Sequence, residues 1–168
     1  MTQHKAFIAM GSNLGKPTDN ILSALTALNE DPRWQLLAYS SLYGSKPMGP
    51  QDQPDYVNAV CSVSTGLTAA ALLQALHDIE DSFGRKRLRH WGERSIDLDL
   101  LLFGDQQHQS EQLKVPHPGL YERNFVLYPL AELEADQLLP NGITVRQQAQ
   151  TLTEDGLDVI ICQSDILI

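Results

Sequence analysis

The chain has 168 residues, 42% of them hydrophobic and 20% charged, which is the composition of a globular protein and excludes a disordered one. A net charge of −9 argues against a general nucleic-acid binder, and no run approaches the ~18 consecutive apolar residues of a membrane span. Cys61 and Cys162 make no disulfide framework, and residues 1–5 carry no signal-peptide pattern, so one domain over 1–168 in the reducing cytoplasm is expected.

Residues 6–10 read as a short buried strand closed by Gly11, Ser12, Asn13 and Gly15. Residues 18–29 predict a helix with Ile21, Leu22, Leu25 and Leu28 on one stripe, broken by Asp31-Pro32. Second and third strands follow at 34–43 and 56–65, separated by a polar loop, 44–55, that holds Pro47, Gly49, Pro50 and Pro54. A loop of that length is usually functional or mobile. On the third strand Val57, Ala59, Cys61 and Val63 form one row, while Tyr56, Asn58, Ser62 and Ser64 face the other way. An aromatic two residues from an amide makes a platform for a flat heterocycle, the ring stacking and the amide reading its edge. Tyr56 packed on the core at a strand end is an equally open reading.

Thr68 is placed to cap a second helix that runs to about Phe83 and ends at Gly84, with Leu72, Leu73, Leu76, Ile79 and Phe83 on its stripe. Glu80 falls inside that stripe, and a carboxylate on a core-facing line is costly unless something pairs with it. His77 sits one turn earlier on the same side and reads on its own as a boundary residue.

Five of the twelve lysines and arginines then fall together as Arg85, Lys86, Arg87, Arg89 and Arg94, around Trp91 and Gly92. A charge run alone is a solvated face, but local positive charge on an acidic body points to a small anionic ligand. The next residues, 96–103, read as a strand. Period-two alternation turns Asp97 and Asp99 the same way, with Cα atoms roughly 6.6 Å apart. Two parallel carboxylates repel unless a cation lies between them, and Mg²⁺ typically takes one or two carboxylates and completes its shell with water and phosphate oxygens. Beside clustered arginines, this is the pattern of a metal–polyphosphate site. Leu101 and Phe103 are expected on the aspartates' face, with Ile96, Leu98, Leu100 and Leu102 on the other. A strand apolar on both faces is expected to be central and doubly covered. Asp-x-Asp by itself is a weak motif.

Gly104-Asp105 turns the chain, and a polar stretch leads to Val115-Pro116-His117-Pro118. Helical segments are predicted at 125–133 and 145–152, and a tail from Glu154 ends in apolar residues 159–161 and 166–168 with no function assigned to it. The order strand–helix–strand–strand–helix–strand predicts an α+β, ferredoxin-like sandwich with a mainly antiparallel sheet and helices on both faces.

Four segments, AFIAMGSNLG, PMGPQDQPDYVNAV, GRKRLRHWGERSIDLDLLLFG and VPHPGLYERNFVLYPLAEL, occur in this order through residues 6–133. Together they resemble the 6-hydroxymethyl-7,8-dihydropterin pyrophosphokinase family of folate biosynthesis. The resemblance implies that Asp97 and Asp99 hold two Mg²⁺ ions with ATP, and that the pterin lies between Tyr56 and Phe125 with Asn58 on its edge, near Ser45 and Met48. It implies that Arg85, Arg87, Trp91 and Arg94 touch the phosphates or close over them, Arg85 and Arg94 also counting among the ATP contacts. His117 and Arg123 would contact the triphosphate, and His77 and Glu80 would line the adenosine pocket. The chain departs from the family's usual residues at His90, Glu93, His77 and Ser45, none of which is a metal ligand. The partners expected are ATP and the dihydropterin, with no nucleic acid and no membrane, acting on a monomer. A nucleotidyltransferase that releases pyrophosphate and a non-catalytic effector-binding module are the rival readings, and product identity separates them.

Overall fold

The computed structural model describes residues 2–47, 49, 51–83 and 95–168. Strand β1 (His4–Ser12) leads into helix α1 (Pro17–Glu30), followed by strands β2 (Trp34–Tyr39), β3 (Leu42–Ser45) and β4 (Tyr56–Thr65). Helix α2 (Ala69–Ser82) precedes strand β5 (Asp97–Phe103), a small hairpin of β6 (His108–Gln109) and β7 (Lys114–Val115), and helices α3 (Asn124–Glu134) and α4 (Val145–Ala149). Strand β8 (Asp158–Ile161) and one short 3₁₀ turn end the chain.

Local chemistry accounts for the helix ends. Pro17 opens α1, where its missing N–H costs nothing. Thr68 caps α2 by accepting the Ala71 N–H at 3.1 Å, as its position in the sequence predicts. Thr144 and Gln147 form a reciprocal capping box on α4. Pro129 lies inside α3 and cannot donate to the Phe125 carbonyl one turn back.

The main sheet runs β5-β1-β4-β3-β8, with β2 also on β4, and every pairing is antiparallel. Helices cover both faces. Ile21, Leu25 and Leu28 of α1 and Leu72, Leu76 and Ile79 of α2 pack with Ile8, Met10, Ala59, Cys61 and Leu100. On the opposite face Val126, Leu127 and Leu130 of α3 pack with Phe7, Ala9, Val60 and Leu101.

Three sequence expectations are corrected, and the tail gains a place in the sheet. The predicted strand 34–43 is two strands, because Ser40 breaks the ladder: its N–H bonds the Val60 carbonyl at 2.8 Å and its Oγ accepts the Val60 N–H at 2.9 Å. The aspartate strand, β5, is covered on both faces yet lies at the sheet's edge rather than its centre. That edge is occupied: Glu80 takes the Leu98 N–H, and the His117 N–H bonds the Leu101 carbonyl at 3.0 Å. A bulge shifts the register between Phe7↔Leu102 and Ile8↔Leu100. It carries Leu102 to the α3 face and Phe103 to the α1/α2 face, the reverse of strict alternation. The tail, given no role from sequence, supplies β8 as the outer strand beside β3.

Candidate active site

Register builds the site. Gly11 of β1 lies opposite Asn58 of β4 on one side and Asp97 of β5 on the other, and Tyr43 of β3 lies opposite Asn58. In the next row Ala9 separates Val60 from Asp99. Directly opposed residues share a face, so Tyr43, Asn58, Gly11 and Asp97 form one line across four strands, on the α3 side. Gly11 leaves the centre of this line without a side chain: a Cβ there would reach ordinary van der Waals contact with Asn58 Oδ1 at 3.6 Å and Tyr56 Cδ1 at 3.7 Å, and would occupy the floor between amide and carboxylate. The sequence reading took Gly11 only as a strand terminus, whereas it lies within β1.

Asn58 is 4% exposed and its amide orientation is set by two donations from Nδ2, to Ser45 Oγ at 2.7 Å and to the Tyr43 carbonyl at 3.4 Å. Oδ1 is thereby left toward Gly11 as an acceptor. Tyr56 is half-buried on the same face as Asn58 and opposite Ser45. Phe125, half-buried, packs at the first turn of α3, and the Arg123 guanidinium lies over its ring with Cζ 5.9 Å from the centroid. Gly119 makes room for that arginine, since a Cβ at 119 would collide with the guanidinium.

Asp97 and Asp99 are both half-buried, Asp99 with 44% of its side chain exposed. His117 Nε2 lies 3.8 Å from Asp99 Oδ2. The Gly119 N–H donates to His117 Nδ1 at 3.0 Å, so the proton of the neutral imidazole sits on Nε2, facing the carboxylate. Burial lowers the His117 pKa below the usual histidine range; Asp99 opposes that shift and Arg123 adds to it.

Glu80 is 3% exposed, and its Oε2 accepts the Leu98 N–H at 2.8 Å. The partner that a carboxylate on the α2 core line requires therefore includes the backbone between the two aspartates. His77, three residues earlier, is exposed and does not share that burial. Met48, Arg85, Arg87, Trp91 and Arg94 lie outside the described residues.

Among the described residues no group of three or more His, Cys, Asp and Glu side chains is arranged to hold a metal. Two half-exposed carboxylates on one face are instead a donor set that fits Mg²⁺ completed by water and substrate phosphate oxygens. No helix among the described residues is long and apolar enough to cross a membrane.

Fold and site together define an α+β sandwich with an acidic, metal-compatible site on the α3 face of its sheet. Residues 7–135 match the model of the 7,8-dihydro-6-hydroxymethylpterin-pyrophosphokinase (HPPK) family, and the chain belongs to that family. It is 49% identical over 137 residues to the 2-amino-4-hydroxy-6-hydroxymethyldihydropteridine pyrophosphokinase of Haemophilus influenzae, covering 82% of this chain and 86% of that one. The protein of the same name from Pseudomonas aeruginosa is 48% identical over 138 residues, covering 82% and 85%. A solved Plasmodium falciparum HPPK-DHPS with pterin and p-hydroxybenzoate shares the fold at a TM-score of 0.66 and 14% identity, covering 90% of this chain. This chain spans 42% of that one.

Proposed function

We propose that this protein transfers the pyrophosphoryl group of ATP to the hydroxymethyl oxygen of 6-hydroxymethyl-7,8-dihydropterin, a step of tetrahydrofolate biosynthesis. The hydroxyl oxygen attacks the β-phosphorus and gives up its proton to solvent, the bond from that phosphorus to the α,β-bridging oxygen breaks, and AMP leaves with the bridging oxygen. The observation that carries the reading is the line Asn58–Gly11–Asp97, which sets an amide acceptor and a carboxylate on one face across a floor with no side chain.

On the amide side, Asn58 Oδ1 is held by the Ser45 bond to accept from the N–H edge of a pterin, while Tyr56 and Phe125 supply apolar ring faces. On the carboxylate side, Asp97 and Asp99 would hold Mg²⁺, two ions with ATP. When bound, the metal would neutralise phosphate charge and lower the pKa of the attacking hydroxyl. Arg123 brings a fixed cation, and neutral His117 brings an N–H donor, to the side of Asp99 where phosphate oxygens would lie. Glu80 bears on the reaction by holding the backbone of the aspartate strand, beside the adenosine-pocket role it shares with His77 in this reading. In this reading the protein is a single catalytic domain over 1–168 that acts as a monomer in the cytoplasm.

Incubation of the protein with MgATP and the dihydropterin tests this. AMP should form in equal amounts with pterin diphosphate. Release of inorganic pyrophosphate in place of AMP would identify a nucleotidyl transfer and overturn the reading.

A further inference from the structure

Beyond its ladder with β1, the strand that carries Asp97 and Asp99 is held at three points among the described residues. Two are the bonds from Leu98 to Glu80 and from His117 to Leu101. The third lies on the opposite face of the sheet from the candidate site. Ser12, the last residue of β1, is completely buried, and its Oγ lies 2.5 Å from the carbonyl oxygen of Ser95. Asn20 of α1 places Nδ2 3.1 Å from Ser12 Oγ and 2.9 Å from the Leu14 carbonyl.

These contacts have a direction. An amide nitrogen only donates and a carbonyl oxygen only accepts. Ser12 therefore accepts from Asn20 and sends its single proton to Ser95. The β1–β5 ladder ends at Gly11↔Asp97, and Ser95 lies two residues before Asp97. The Ser12 side chain thus supplies a further rung where the backbone ladder stops. The hydroxyl of Ser95 is buried without a hydrogen-bond partner, so this residue is held through its carbonyl.

We propose that Asn20 and Ser12 are positioning residues for Asp97: the chain Asn20 N–H → Ser12 O–H → Ser95 C=O sets where β5 begins and so where its first carboxylate points. Neither residue touches substrate. The inference rests on the reading of Asp97 and Asp99 as the groups that hold metal and phosphate. It is distinct from the candidate site itself, because Ser12 lies on the α1 side of the sheet, opposite Gly11.

Reversing the direction of the chain tests it. Asn20→Asp keeps the shape but replaces the donor with an acceptor, which draws the Ser12 proton away from Ser95. Ser12→Ala removes the donor outright, and Ser12→Thr retains it. The first readout is backbone amide exchange by mass spectrometry, which needs no activity. Exchange over residues 96–100 should quicken about tenfold in Asn20→Asp and Ser12→Ala and stay unchanged over β4. The second is steady-state AMP formation: kcat should fall roughly 10–100-fold and the Mg²⁺ needed for half-maximal rate should rise, with the pterin KM unchanged. Ser12→Thr should restore both, and the double variant should be no worse than either single one. Unchanged exchange over 96–100 would overturn the proposal, as would a loss shared equally between kcat and pterin KM, or faster exchange with an unaltered Mg²⁺ requirement. If Ser12→Ala fails to fold, Asn20→Asp alone decides. A wild-type protein that makes no AMP would remove the functional reading, while the exchange pattern would still judge the link from Asn20 to Ser95.

Discussion

Glu80 offers the sharpest test of how the aspartate strand is held. Its carboxylate and Leu98 are both buried, and the bond between them is 2.8 Å long. Replacing a buried charge with a smaller apolar group can be stabilising when it leaves nothing behind. Here it leaves the Leu98 N–H at the sheet edge without that acceptor. An orphaned buried donor costs about 1–3 kcal/mol, and the space vacated by the side chain adds to it. For Glu80→Ala a loss of about 2–3 kcal/mol is expected, which for a chain of this size is a fall of roughly 5–10 °C in Tm. Glu80→Gln keeps one oxygen acceptor for the Leu98 N–H and exchanges the other oxygen, with the charge, for an NH₂ group, so its loss should be about 1 kcal/mol, or roughly 2–4 °C. Calorimetric melting at pH 7 measures both. Because Leu98 separates Asp97 from Asp99, AMP formation by the folded Ala variant should fall further than by the Gln variant. Wild-type melting temperature in Glu80→Ala, or a Gln variant less stable than the Ala variant, would refute the account of Glu80 as the acceptor that holds this strand.

Asp97→Asn and Asp99→Asn keep side-chain shape while removing the charges proposed to bind metal; AMP formation should drop at least about 100-fold in each, with an unchanged circular-dichroism spectrum. His117 is held neutral in the folded protein, so the unfolded chain takes up its proton first as pH falls. That contribution to stability is complete above the unfolded pKa of about 6.5 and is lost as pH drops through the lower folded value, so Tm should decline below pH 6.5 and decline less steeply in His117→Gln. Burial pushes the Cys61 thiol up to about 12, whereas Cys162 is exposed. Ellman's reagent should therefore titrate one thiol in the native protein and two in guanidinium chloride; two fast thiols in the native state would contradict the burial of Cys61.

Much of this molecule follows from neighbouring residues alone. Thr68 before an apolar stripe defines the start of α2, and the alternating row from Val57 to Val63 defines β4 over its full length. Period two turns Asp97 and Asp99 to one face whatever the rest of the chain does. Even the anomaly of Glu80 on a core line was legible, since burial of a carboxylate demands a partner wherever it lies. The identity of that partner was not. It includes a backbone N–H eighteen positions away, available only because β5 takes the sheet's edge.

Other features belong to the tertiary structure for the same reason. The bulge at Leu101 arises in the pairing of β5 with β1, and it exchanges the faces of Leu102 and Phe103 against the local pattern. The break at Ser40–Ser41 depends on Val60 and on Glu132, which accepts both the N–H and the hydroxyl of Ser41. The floor at Gly11 has meaning only when Asn58 and Asp97, thirty-nine positions apart, flank it. Periodicity and capping are properties of consecutive residues, so the sequence carries them by itself. Register, edges and the meeting of distant side chains are set by which strands pair, and that is decided only when the whole sheet closes on its two cores.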